Sequence, residues 1–172
     1  SGDLTAARQA YGQVLARDAD HVQAWFNLGA AAQDQRDYPA AIAAYRAAVQ
    51  RQAGFAAAYP QLGACLQLTG QVEAWLENFR RYRASCPESL SMATYGLEAS
   101  MAAGDPSAHA AWRDKILAGT LTTTEPAEFT HNWEQLLFLL LHVDLERAAL
   151  LQWYQRYDVA ASAWYGAPAG AP

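Results

Sequence analysis

Apolar and small residues return along the first hundred positions with helical spacing. Trp25, Leu28, Gly29 and Ala32 fall at i, i+3, i+4 and i+7, the stripe of one helix, and Ala41, Tyr45 and Ala48 make the stripe of the next. Turn signals stand at "DQRDYP" and again at "LTGQ". Residues of like character then recur at a fixed offset of 34: Tyr11, Tyr45 and Phe79 share it, as do Trp25 and Tyr59, Leu28 and Leu62, and Gly29 and Gly63. Such a period describes a helix pair that cannot bury its apolar stripe alone and stacks on its neighbours. Within a pair the small residue (Gly29, Ala41) lets two helices approach, and the aromatic one (Trp25, Tyr45) fills the space beside it. The pattern predicts an all-α chain of about nine helices in antiparallel pairs. Trp25, Leu28, Tyr45, Tyr59, Leu62 and Phe79 are expected in the shared core.

Aromatic-x-x-Leu-Gly followed by Ala-x-x-x-aromatic, at a period of 34, resembles the tetratricopeptide repeat. The copies run from Val22 to Phe55 and from Ala56 to Ser89, the second with Tyr59 as its aromatic and Pro87 as its closing proline. The likeness covers roughly residues 2 to 104 and implies a right-handed helical solenoid. Segment 2–21 (Leu4, Ala7, Tyr11) matches only the second helix of a repeat, so either the sequence starts inside a repeat or the array continues upstream.

Departures from the pattern carry expectations of their own. In the second copy the small positions of the second helix become Trp75 and Tyr82, so the usual close approach is lost and packing must change. In the next unit Leu-Gly is inverted to Gly96-Leu97, and the helix after Gly104-Asp105-Pro106 keeps Trp112 and Ile116 but little else. Residues 89–118 therefore read as a degenerate helical pair that ends the regular superhelix. The expected organisation is repeats over 1–104, degenerate and more globular helices over 105–164, and a linker or tail over 165–172.

Beyond the Thr-rich "LTTTEP" loop, a helix over about 126–142 carries Phe129, Trp133, Leu136, Leu137, Leu140 and Leu141 on one stripe, with Phe138, Leu139 and His142 elsewhere. It is apolar nearly all round and should be buried on more than one side. Asp144 can cap the next helix, whose Leu150, Leu151, Trp153, Tyr154 and Tyr157 give another wide apolar face. The segment with Asn132, Leu136-Leu137-Phe138, Asp144 and Trp153 loosely resembles the junction between repeats and catalytic part in bacterial SPINDLY-type O-linked N-acetylglucosamine transferases. That resemblance implies a substrate-presenting repeat half of a glycosyltransferase, and it places no catalytic residue in this sequence.

Composition removes several function classes. Apolar residues make up 52% of 172, with mean hydropathy −0.15, which excludes a disordered chain. The leucine-rich apolar run, Leu136 to Leu141, is far short of a membrane span, and no basic-then-apolar leader stands at the start. A net charge of −5 argues against a general nucleic-acid surface, and the cluster Arg80, Arg81, Arg83 reads as a solvated helix face. The two cysteines, Cys65 and Cys86, have neither CxxC spacing nor partners for zinc, and reduced thiols point to the cytoplasm.

An enzyme would need a constellation. The sequence holds no Gly-rich phosphate loop, no HExxH and no Gly-x-Ser-x-Gly. His21, His109, His131 and His142 are scattered, and Cys86 lacks a visible base. Glu125 with Glu128, and Asp144 with Glu146, sit at helix starts, where the helix dipole accounts for them. No cofactor, metal or catalytic residue is expected in this chain.

What remains is a binding surface. By the family's pattern the inner face is lined by Gln23, Phe26, Asn27, Ala30, Gln33 and Asp34, then Ala57, Pro60, Gln61, Ala64, Gln67 and Leu68, then Ser91, Thr94, Tyr95, Glu98 and Met101. Of these, Gln23, Phe26, Asn27, Gln33, Gln61, Gln67, Thr94, Tyr95 and Glu98 are the candidate peptide-binding residues. The face is amide-rich and lacks the Lys and Arg of a carboxylate clamp. The amides of Asn27 and Gln61 can bond an extended peptide's backbone without regard to sequence, or Asn27 can instead tie neighbouring helices. Two readings stand: a non-catalytic peptide-binding scaffold, with or without a glycosyltransferase domain as companion, or a self-assembly module whose apolar ends stack on copies of itself.

Overall fold

The structure is a computed structural model that describes residues 2–118. Seven helices lie among the described residues, with no strand between them: α1 Gly2–Arg17, α2 Val22–Asp34, α3 Tyr38–Arg51, α4 Ala58–Leu68, α5 Val72–Ser85, α6 Leu90–Ala102 and α7 Pro106–Ala118. The two further helices expected from the sequence, over about 126–142 and after Asp144, fall outside the described residues, as does the 165–172 tail. The chain divides into two compact units, Ser1–Pro87 and Glu88–Pro172.

In the first unit each helix packs on the next, and α2 also touches α4, so first helices of successive repeats lie side by side. The α2–α3 interface is built from small residues: Ala24, Ala31, Ala32, Ala41, Ala44 and Ala48 are all buried. A Cβ on Gly29 would stand 2.7 Å from the ring of Tyr45, so only glycine lets that ring lie against α2.

The α4–α5 interface is built differently, as Trp75 and Tyr82 require. Tyr82 stacks on Tyr59 with ring centroids 5.0 Å apart and planes 9° from parallel. Trp75 and Phe79 are buried, and Asn78 donates to the Tyr59 carbonyl at 2.8 Å, which satisfies a polar group in the core.

Two expected core residues sit nearer the surface. Trp25 and Leu28 are half-buried. The Trp25 indole bonds outward, since its Nε1 donates to the Ala19 carbonyl at 2.8 Å and the Arg51 guanidinium lies 4.9 Å above its ring. The next repeat copies the device, for the Tyr59 hydroxyl donates to the Ala53 carbonyl at 2.8 Å. Both donors and both acceptors are offset by one full repeat, so an aromatic head tied to the loop six residues back belongs to the repeat itself.

The turn inside each helix pair is the most regular element. The amides of Asp37, Gln71 and Asp105 donate to the carbonyls of Ala32, Leu66 and Ser100, each at 2.9 Å. Each bond passes over a residue in the left-handed region: Arg36 (φ 60°), Gly70 (φ 70°) and Gly104 (φ 63°). This is the 6→1 closure of a Schellman motif, made three times at a spacing of 34. Side-chain caps follow in two copies, where Asp37 accepts from the Ala40 amide and Asp105 from that of Ala108.

In the second unit α6 packs on α7. A Cβ on Gly96 would come within 2.5 Å of the Trp112 indole, so this pair also closes a glycine against an aromatic ring. Glycine and aromatic are separated by the same stretch of sequence in both pairs. The inverted Gly96-Leu97 is therefore a displaced copy of the repeat's close contact. Helix α6 is enclosed nearly all round, with Leu90, Met92, Ala93, Thr94, Tyr95, Leu97, Ala99 and Ser100 buried.

Candidate functional site

The predicted inner-face candidates fall into two groups, the amides in the first unit and Thr94, Tyr95 and Glu98 in the second. On α2, Gln23 is exposed and its Nε2 donates to Asn27 Oδ1 at 3.0 Å, one turn along the same helix. Asn27 thus bonds within α2 and does not tie that helix to a neighbour.

The tie between helices is Gln33. Its Oε1 accepts from the Tyr45 hydroxyl at 2.9 Å and from Cys65 Sγ at 3.4 Å, and its Nε2 reaches Gln61 Oε1 at 3.5 Å. One side chain of α2 therefore joins α3 and α4. Helical phase places Gln33 on the inner face but gives no sign of this role, because its partners come from two other helices.

Phe26 is half-buried and packs against Tyr45 (centroids 5.6 Å) and edge-on against Phe55 (5.4 Å). It forms an apolar floor between α2 and the α3–α4 connection. Gln67 is exposed near the end of α4, next to Leu68, which is 64% exposed.

The second-unit candidates lie in different surroundings. Thr94 and Tyr95 are buried, with the Thr94 hydroxyl donating to the Leu90 carbonyl at 3.0 Å, and Glu98 is half-buried. The physical reason is the displaced contact: with Gly96 facing Trp112, Tyr95 takes the place that Leu28 and Leu62 hold in the first unit. Thr94 and Tyr95 consequently offer no exposed groups to a ligand.

Electrostatics do not activate any nucleophile among these groups. Burial pushes the Cys65 and Cys86 thiols up, away from the thiolate that a reactive cysteine needs. The Tyr45 hydroxyl is pushed above its ordinary range by burial first, then by Cys65 and Asp34. Glu77 on the outer face of α5 is held low by hydrogen bonds from Arg80 and Arg81, so two cations of that arginine cluster are paired within their own helix. His21 accepts from the Ala24 amide through Nδ1 and caps α2. Among the described residues no three His, Cys, Asp or Glu side chains gather as a metal site would need, and no helix is long and apolar enough to cross a membrane.

Residues 1–67 match the family model for the tetratricopeptide repeat, and that segment is an array of such repeats. Among solved structures, a crystal structure of MamA protein is similar over 99% of this chain and 90% of its own, with a TM-score of 0.58 and 18% identity. At that identity the likeness speaks for the fold, an all-α helical repeat solenoid. No curated protein matches the sequence. The resemblance to SPINDLY-type transferases rests on Asn132 to Trp153, outside the described residues. A stacked-helix array of this class is a scaffold for contacts with other proteins.

Proposed function

We propose that this chain is a non-catalytic scaffold whose first unit binds an extended peptide segment along α2 and α4. The supporting observation is a neutral set of amides: Gln23 bonded to Asn27 along α2, and Gln33 of α2 bonded to Gln61 on α4, with Gln67 further along. Amides recognise a main chain through donors and acceptors that every residue shares, so such a row suits varied sequences. The absence of Lys and Arg from these positions disfavours a partner held by its terminal carboxylate.

The test is the double variant Asn27→Ala with Gln61→Ala, titrated with an end-capped, unstructured Gly/Ser/Thr dodecapeptide. Loss of two net hydrogen bonds should weaken binding by about 5- to 100-fold, with the melting temperature little changed. A double variant that melts much earlier and binds as before once folded would assign the amides to structure.

A second reading, self-association through an apolar end, draws support from α1. Its Leu4, Ala7, Tyr11 and Leu15 are only half-buried and Val14 is 38% exposed, so α1 has no fully buried side chain among its described residues. Sedimentation that finds dimers lost on Tyr11→Glu would support it, and a strict monomer at high concentration would remove it.

A further inference from the structure

We infer that Gln33 is a positioning residue that sets the hydrogen-bonding polarity of the inner face, turning the Gln61 amide so that its N–H groups, and not its carbonyl, meet the partner. This rests on the inner-face reading above and adds the chemistry of what is recognised: acceptor groups, foremost the main-chain carbonyls of an extended segment.

The polarity follows from what each neighbour can give. Cys65 is buried, burial keeps its thiol protonated, and that S–H is a weak donor to Gln33 Oε1. The Tyr45 hydroxyl, 1% exposed at the residue level and packed beside Phe26, can point its proton at the same atom. With Tyr45 Oη at 2.9 Å and Cys65 Sγ at 3.4 Å, the Gln33 end that meets both is its oxygen, Oε1. An amide has one oxygen and one nitrogen end, so fixing the first aims Gln33 Nε2 at Gln61. Gln61 answers with Oε1 at 3.5 Å, and its Nε2 has no partner among the described residues. The same outcome arises independently on α2, where Gln23 Nε2 takes up Asn27 Oδ1 at 3.0 Å and leaves Asn27 Nδ2 over. Asn27 and Gln61, each half-buried, therefore both present donors.

Gln33→Glu tests this at nearly constant shape. The new carboxylate still accepts from Tyr45 and Cys65 but cannot donate, so Gln61 must turn to give its own N–H to that carboxylate and expose its carbonyl. Side-chain amide NMR of the full chain reads this without any ligand. In the wild type the Gln61 amide protons should exchange rapidly with water, and in Gln33→Glu they should become protected. Gln33→Leu, which can neither give nor accept, should leave them rapid. Protection of the Gln61 amide in the wild type, or no difference between wild type and Gln33→Glu, overturns the inference.

The end-capped Gly/Ser/Thr dodecapeptide supplies the second arm. Its affinity should fall about 3- to 10-fold in Gln33→Glu, the equivalent of one net hydrogen bond. If Gln61 turns as expected but the peptide binds neither protein, the positioning role of Gln33 stands and the peptide-binding reading of the face falls.

Discussion

In the α2–α3 pair Gly29 receives the ring of Tyr45, and in the α6–α7 pair Gly96 receives that of Trp112. The aromatic follows the glycine at the same interval in each. Against the turn, however, the two contacts differ. Gly29 lies seven residues before the left-handed Arg36 and Tyr45 nine after it, whereas Gly96 and Trp112 each lie eight residues from Gly104. Both members of the contact have moved one position toward the N-terminus while the turn has kept its place. One residue is about 100° around a helix, so the faces that meet are different faces. The lesson is that a repeat can hold its turn geometry and its glycine-aromatic contact and still re-aim everything else. In the first unit the re-aimable surface is the amide row; in the second the corresponding side chains, Thr94 and Tyr95, are buried.

The comparison breaks most readily at the two glycines. Gly29→Ala would place a Cβ 2.7 Å from a ring that is packed against Phe26 and bonded to Gln33, and Gly96→Ala would place one 2.5 Å from Trp112. Neither ring has room to retreat, since Tyr45 is 1% and Trp112 4% exposed. Each substitution should cost about 1–3 kcal/mol, the usual penalty of overpacking. Gly12→Ala in α1, where a Cβ meets nothing within 4 Å, should instead stabilise by about 0.5–1 kcal/mol. Native-state hydrogen exchange, read separately on α2–α3 and α6–α7 amides, assigns each cost to its own pair. A silent Gly96→Ala beside a costly Gly29→Ala would show that the two contacts are not equivalent.

How much of this is legible in the sequence differs by residue. The period of 34, the helix stripes and the use of small residues beside aromatic fillers can be read from spacing, while the contact of Gly29 with the Tyr45 ring in particular comes from the structure. The third pair resists such a reading: Leu-Gly is followed as a unit, and a one-residue slip in α6 matched by one in α7 looks like decay when each helix is read alone. Its turn, with Gly104 one full repeat after Gly70, is the signal that finds it. On the candidate site, the positions of Gln23, Asn27 and Gln61 are legible from helical phase. The direction of their amides is not, since it depends on Tyr45 and Cys65, which reach Gln33 from two other helices.

The turns give the finest test, because three copies share one backbone and differ in two side chains. Gln71 has nearly the same cap geometry as Asp37 (φ −87°, ψ 65° against φ −83°, ψ 67°), but it makes no side-chain cap and donates instead to Thr69 Oγ1 at 3.0 Å. Gln71→Asp should supply the missing acceptor for the first turn of α5 and stabilise by about 1 kcal/mol. Arg36 is the non-glycine member of the left-handed set, holding φ 60° where Gly70 and Gly104 sit without strain. An L-residue there carries a penalty of about 1–2 kcal/mol. Glycine in its place gains that back but widens the unfolded ensemble, which offsets about half of it. Arg36→Gly should therefore stabilise by about 0.5 kcal/mol, measured as a shift in denaturation midpoint at constant m-value. If Arg36→Gly destabilises while Gln71→Asp behaves as expected, the Arg36 side chain makes a contribution that the backbone comparison does not contain, and the first turn is more than a copy of the other two.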